Sequence, residues 1–437
     1  MNILIPVEIA SRELLYKSYL SHILAYKGFN CYLGKKGHIS YLCNKFQNYI
    51  YFDKGYHQSF SEQIYENVRK QNGHIVSLDE EGAVDFSDNR TLFKRYPKTL
   101  FEQIDQVFLW GKNQEEIINE YCDNNKKIRV TGHPRFEMLN SKYRIFYDDE
   151  INKIKNRYKN YILINTNMGF GNNIKGDDCI RDKIIGYGTW YKNIDEIINH
   201  DKLKIDNYID LVEKISKNYN GNIIFRPHPE ENLEIYRNAF DKVKNVTINN
   251  KGSVIPWLIA ADYMIHPDCT TSIESIILGK KAISFLPKNK DNDLITQLPV
   301  ELSYKTTSIE EVISLIGKEK NNKLKINNND IRFIEDSFSI SSESNNLILD
   351  SLNTFLQEGN QNLSSTIKLY DKIILNYRSF KFSLNSSKAA ELLKKKISGF
   401  NYDKIKTIHK NCIKYDNELS KIKVKKVSDA LYHFYRD

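Results

Sequence analysis

The chain has 437 residues, 41% of them hydrophobic and 27% charged. That suits a cored protein of two domains and excludes a disordered or fibrous one. No apolar run reaches the roughly 18 residues that span a bilayer, and the start, Met1-Asn2-Ile3-Leu4-Ile5-Pro6, reads as a strand and not as a signal peptide. The net charge of +9 is uneven. Ser364 to Asp437 carries 17 basic and 7 acidic residues, a net +10, against 47 and 48 in residues 1–363. The body is therefore not expected to bind nucleic acid. The tail is expected either to face an anionic surface, membrane or partner, or to be a solvated, lysine-rich helical extension. The six cysteines form no CxxC pair, and reduced thiols in a cytoplasmic protein are expected.

Strand and helix signals alternate from the start. Strands are expected at Asn2–Ile5, Cys31–Leu33, Tyr49–Phe52, His74–Leu78, Gln106–Trp110 and Ile128–Thr131. Helices are expected at Arg12–Tyr26, Phe60–Arg69 and Glu115–Tyr121. A charged helix, Tyr147–Lys159, leads to a second series that opens with the strand Tyr161–Asn165. After a long connection to about His200 come helices at 205–218, 231–241, 254–261 and 271–278, interleaved with strands at 222–225, 245–248, 262–265 and 281–285. A helix at 308–317, a polar stretch at 318–345 and a helix at Leu347–Leu356 follow. Strands alternating with helices point to parallel sheets. The expected fold is α/β and GT-B-like, with two Rossmann-like domains, 1–145 and 146–360, whose sheets face a cleft. A basic helical tail, 361–437, completes it.

Two motifs stand at expected strand ends, where open α/β sheets bind ligands: Phe225-Arg226-Pro227-His228-Pro229-Glu230 and His266-Pro267-Asp268-Cys269-Thr270-Thr271-Ser272-Ile273-Glu274. Each proline restrains the histidine before it to extended backbone. His228 and His266 are candidate donors to a leaving phosphate, and Arg226 is a candidate phosphate or carboxylate contact. Thr270, Thr271 and Ser272 are either phosphate ligands or helix caps. Glu274 either meets ribose hydroxyls or closes a capping box. The loop Asn167–Asn173 offers Gly169 and Asn172 to a substrate, the glycines allowing close backbone approach. His133-Pro134-Arg135 either lines the cleft or ends a strand. Glu8 and Arg12 either face the cleft or pair with each other.

Asp79-Glu80-Glu81-Gly82 follows the fourth strand. It is either a solvated loop or a source of one catalytic carboxylate, raised in pKa by its neighbours. No GxGxxG fingerprint, P-loop or metal-ligand spacing is present, and neither a metal nor a cofactor is expected.

The segments NILIPVEI, YFDKGYH, SLDEEG, VTGHPRF, INTNMGFGNN, FRPHPEE and SVIPWLIAADYMIHPDCTTSIE resemble a family of bacterial surface carbohydrate biosynthesis proteins over roughly residues 1–290. The chain is also similar to GT-B transferases of CMP-activated sialic acid and Kdo. In those enzymes an acidic-acidic-Gly motif supplies a base or nucleophile, and the histidine of a His-Pro motif meets the CMP phosphate. The resemblance carries these roles to Glu80-Glu81-Gly82 and to His228 or His266. The extra acid, Asp79, leaves the reacting carboxylate undecided, with Glu80 favoured. It implies transfer of a CMP-activated ulosonic acid to a surface glycan or lipid-linked acceptor in the cytoplasm, at the inner face of the membrane. The rival readings are a CDP-glycerol or polyol phosphotransferase of teichoic-acid type, with His228 as base, and a non-catalytic glycan-assembly scaffold.

Overall fold

The structure, a computed structural model, describes residues 1–82, 89–122, 126–186, 194–287, 294–316, 324–358 and 366–437. The start of the polar stretch expected at 318 and the domain boundary expected at 360 lie outside these residues. The chain divides into two compact units. The first comprises Met1–Gly82, Leu92–Phe146 and Arg332–Asp437; the second is Tyr147–Ile331 with the segment ending at Thr91.

Unit 1 is built on parallel strands β1 (Asn2–Val7), β2 (Asn30–Lys35), β3 (Tyr49–Asp53), β4 (His74–Leu78), β5 (Gln106–Leu109) and β6 (Ile128–Val130). They lie in the order β2-β1-β3-β4-β5-β6. Every residue of β1 and β3 is buried. Helices cover both faces of such a sheet, so its central strands read as unbroken apolar runs. The strand order reverses between β1 and β3, and the carboxyl ends there form the natural ligand position of this topology.

The tail departs from expectation. Its helices form, at Leu369–Leu384, Lys388–Lys396 and Tyr402–Tyr415, but it is not a separate extension. In unit 2 the parallel strands are β7 (Tyr161–Asn165), β8 (Asn222–Arg226), β9 (Val246–Ile248), β10 (Tyr263–His266), β11 (Ile283–Phe285) and β12 (Tyr304–Thr306). The chain then returns to unit 1 from Arg332 and ends in a hairpin, β13 (Ile422–Ser428) and β14 (Leu431–Arg436). β14 pairs antiparallel with the outer edge of β2, from Leu431 opposite Gly34 to Phe434 opposite Cys31. Leu431, Tyr432 and Phe434 are buried. A side chain at Gly34 would meet Leu431 Cδ1 at 2.6 Å. The hairpin covers an edge that would otherwise expose unpaired backbone groups. Its alternation hides in sequence because lysines fill the outward positions.

The strands of unit 2 run β12-β11-β10-β7-β8-β9. Counted from β7, this is the Rossmann order 3-2-1-4-5-6, reversing between β7 and β10. The β7 loop therefore stands between the two His-Pro loops, which follow β8 and β10. Two helices exceed expectation: the connection after β7 holds Asp177–Gly186, and the helix expected from 205 already begins at Ile194 and runs to Asn218.

Candidate functional site

In unit 1 the three consecutive acids after β4 part company. Asp79 is buried, and Arg95 Nη1 grips it at 2.9 and 3.0 Å. Trp110 Nε1 donates to its carbonyl at 2.7 Å. A side chain at Gly55, whose φ is +122°, would meet Asp79 Oδ1 at 2.6 Å, which explains the glycine in the YFDKGYH segment. Glu80 is also buried. The Tyr16 hydroxyl donates to it, Lys17 Nζ lies 2.9 Å from Oε1, and His133 Nε2 lies 3.5 Å from Oε2. Burial pushes the Glu80 pKa up, but Lys17, His133 and Arg12 outweigh it and hold it well below the carboxylate range. Glu81 alone keeps an accessible carboxylate, 37% exposed, between Arg95 at 3.3 Å and Arg12 at 3.5 Å. Burial opposes its ionisation, yet Arg12, Arg95 and Lys54 bring its pKa down to about 2.

These positions correct two expectations. Mutual repulsion does not raise the pKa of the most buried acid, because each carboxylate receives its own cation. Glu8 and Arg12 do not pair with each other: Glu8 meets Lys54 at 2.6 Å and Lys36 at 2.8 Å, and Arg12 turns to Glu81. Lys17, Lys54 and Arg95 were not legible as site residues. The one available signal was Glu13 and Lys17, charged and four apart in an apolar helix, which pair at 2.8 Å in the interior.

In unit 2 the β7 loop is pinned from three sides. Glu231 accepts from the Thr166 hydroxyl at 2.7 Å, Met168 N at 3.2 Å and His228 N at 2.8 Å, and from the Tyr236 hydroxyl. Asp201 accepts from Phe170 N at 3.0 Å. Asn167 Nδ2 donates to the Asp268 carbonyl at 3.3 Å. Asn172 is buried and donates to the Asn232 carbonyl at 2.9 Å. Gly169 lies beside His228, where an added Cβ would sit 4.0 Å from Nδ1. Across the switch point, Asn165 Nδ2 donates to Thr271 Oγ1 at 3.0 Å. The structure thus brings Gly169, His228, Asn165 and Thr271 to the ends of adjacent strands.

Other candidates have internal partners. Arg226 Nη1 donates to the carbonyls of Asn249 at 2.9 Å and Lys251 at 3.1 Å, and Nη2 to Gly252 at 3.1 Å. Its guanidinium lies over the Trp257 ring, and burial pushes its pKa down to about 10. The arginine thus closes the loop after β9, whose carbonyls have no strand to pair with. Ser272 is buried and donates to the Pro299 carbonyl at 3.1 Å. Thr270 precedes the helix Thr271–Ile277 without a side-chain cap bond, and Glu274 is buried within that helix.

The three His-Pro motifs share one device. Proline has no N–H, so the first amide able to reach the imidazole lies two or three residues on. His133 Nδ1 accepts from Arg135 N at 3.0 Å, His228 Nδ1 from Glu230 N at 3.3 Å, and His266 Nδ1 from Cys269 N at 3.1 Å. In a neutral ring each network assigns the proton to Nε2. His133 aims it at Glu80. His266, fully buried, aims it at Ser303 Oγ at 2.8 Å, and burial holds its pKa down at about 4. His228 is exposed.

Among the described residues no group of three or more His, Cys, Asp or Glu is arranged to hold a metal ion, and no helix is long and apolar enough to cross a membrane.

No curated protein matches the sequence. Among solved structures, UDP-GlcNAc 2-epimerase from Neisseria meningitidis bound to UDP-GlcNAc is similar with a TM-score of 0.51 at 11% identity, covering 81% of this chain and 100% of that one. UDP-GlcNAc 2-epimerase from Methanocaldococcus jannaschii, in complex with UDP-GlcNAc and UDP, gives 0.45 at 15% identity, covering 70% and 76%. The wall teichoic acid polymerase TagF gives 0.44 at 15%, covering 71% and 82%. The α/β fold with two parallel-sheet, Rossmann-like domains of GT-B type is the fold present. Residues 111–346, more than half of the chain, match the family described as a protein of unknown function (DUF354), and the chain belongs to that family.

Proposed function

We propose that the protein is a nucleotide-sugar-dependent glycosyltransferase of bacterial surface-glycan assembly, with a CMP-activated ulosonic acid, Kdo or a sialic-type sugar, as donor. The observation that carries the reading is the row of adjacent strand ends β8, β7 and β10, which brings His228, the β7 loop and Thr271 together. In this reading His228 and backbone groups of the Asn167–Asn173 loop take the donor phosphate, with Thr271 beside them. Taken by itself, unit 1 leaves Glu81 as its candidate carboxylate for chemistry, because Asp79 and Glu80 are sealed against Arg95, Lys17 and His133. The bond from the anomeric carbon to phosphate breaks, the acceptor oxygen bonds to that carbon, and the acceptor proton passes to solvent. Hydrogen-bond donors aimed at the developing phosphate charge lower the barrier.

The contact at Nδ1 weighs against His228 as the base of a CDP-polyol phosphotransferase. A base at His228 would need Nε2 unprotonated, and the Glu230 amide already occupies Nδ1. The test is nucleotide release from CMP-Kdo, CMP-sialic-type sugars, CDP-glycerol and UDP-GlcNAc, each with and without a glycan acceptor. Acceptor-dependent CMP release is expected. Turnover of CDP-glycerol alone makes the protein a phosphotransferase, and binding without turnover of any donor makes it a scaffold.

A further inference from the structure

The helix Leu369–Leu384 of unit 1 is turned the opposite way from an ordinary surface helix. Its docked face carries Asp371, Leu375 and Ser379. The Tyr41 hydroxyl donates to Asp371 at 2.7 Å, and Lys35 Nζ donates to Ser379 Oγ at 3.1 Å. The opposite face carries Leu369, Tyr370, Ile373, Tyr377, Phe380 and Leu384, each 60–75% exposed. At about 100° per residue, these six fall within roughly 100° of arc. They are six of the fourteen large apolar side chains exposed among the described residues, so they form a patch and not a scatter. A surface helix normally buries such a stripe; here polar anchors hold it outward.

The stripe is flanked by lysine. Lys372 and Lys381 border it on the same helix, and the exposed Lys395 stands on the next, while Arg378 packs over the Tyr41 ring and Lys394 caps the carbonyls of Ser383 and Asn385. The one acid of the helix, Asp371, faces inward onto Tyr41. We infer that this face docks on an anionic membrane surface, its apolar stripe entering the headgroup boundary and its lysines meeting lipid phosphates. Leucine, isoleucine and aromatic side chains flanked by lysine are the composition of helices that lie in that interface. A second copy of the chain would bring two basic rims together, which charge repulsion disfavours. The inference stands apart from the donor and the reaction.

The test is co-sedimentation of the full chain with vesicles of phosphatidylcholine alone and of phosphatidylcholine with phosphatidylglycerol. Preferential binding to the anionic vesicles is expected. It should weaken in high salt without vanishing, because salt screens the lysines and not the apolar contact. The quadruple variant Ile373→Ser, Tyr377→Ser, Phe380→Ser, Leu384→Ser should lose at least about tenfold in vesicle affinity, with an unchanged melting temperature because all four side chains are exposed. Lys372→Gln with Lys381→Gln should narrow the preference for anionic lipid. Tyr377→Trp should shift its emission to the blue on vesicles. Failure of the wild-type protein to bind anionic vesicles, or equal binding by the quadruple variant, overturns the inference. A wild-type dimer that the quadruple variant converts to monomer also overturns it, and gives the face to a second copy.

Discussion

The backbone N–H of His228 donates to Glu231 Oε1 at 2.8 Å, and the same oxygen accepts from Thr166 Oγ1 at 2.7 Å. One buried carboxyl thus ties the loop after β8 to the loop after β7. Removing it in Glu231→Ala leaves several donors unsatisfied at about 1–3 kcal/mol each. Unit 2 should lose on the order of 3 kcal/mol or more, read in chemical denaturation. Glu231→Gln keeps an acceptor and should lose far less. Burial pushes the Glu231 pKa up from 4.5 to about 7. The folded state then holds a proton that the unfolded state has released, so this group's contribution to stability falls as pH rises from 4.5 to 7. The Gln variant should lack that slope, and an unaltered slope would show that Glu231 does not titrate there.

Glu80 and Glu81 should separate stability from turnover. Glu80→Gln leaves Lys17 with Glu13 as its one carboxylate partner and weakens the bonds from Tyr16 and His133, a loss of about 1–3 kcal/mol. The Glu80 pKa is depressed in the fold. Its contribution is therefore present above the unfolded value of about 4.5 and lost as pH falls through the folded pKa. The deficit of Glu80→Gln should accordingly be largest near neutrality and shrink in acid. Glu81→Gln should abolish transfer, with a smaller loss of stability than Glu80→Gln because the Glu81 carboxylate is partly exposed and solvent screens its pairs. Full activity in Glu81→Gln would remove that carboxylate from the mechanism.

His228 and His266 should behave differently despite their shared motif. His228→Ala, at an exposed position, should keep the melting temperature and lower turnover by on the order of 10²-fold. His266→Ala strands Cys269 N in the interior and should cost about 1–3 kcal/mol. The His266 pKa falls from 6.5 to about 4 in the fold. Stability should therefore decline as pH falls from 6.5 towards 4, when the unfolded state gains a proton that the folded state refuses. That decline should be shallower in the variant. Equal turnover losses with unchanged melting in both would contradict this assignment.

Truncation before Ile422 should not yield a folded, active body. It removes β13 and β14, bares the edge of β2 and exposes surface packed on Leu431, Tyr432 and Phe434. Aggregation or loss of the folded far-ultraviolet spectrum is expected. A monomeric, cooperatively melting product would show that the hairpin is dispensable.

The sequence by itself determined the alternation of strand and helix, the apolar central strands and the placing of His228 and His266 at strand ends. These are local: period, proline and glycine act within a few residues. Only the tertiary structure decided which of three consecutive acids remains accessible. The partners of Asp79 and Glu80 are Arg95, 16 residues away, and Lys17, 63 residues away, and no periodicity announces such pairs. The same holds for Arg226, which reads as a phosphate ligand beside His228 until the carbonyls of Asn249, Lys251 and Gly252 fold over it. The tail reads as solvated helix because lysines occupy its outward positions. Its hairpin acquires a place only once the edge of β2 is there to pair with it, a non-local contact whose hydrogen bonds the chain's local signals do not encode.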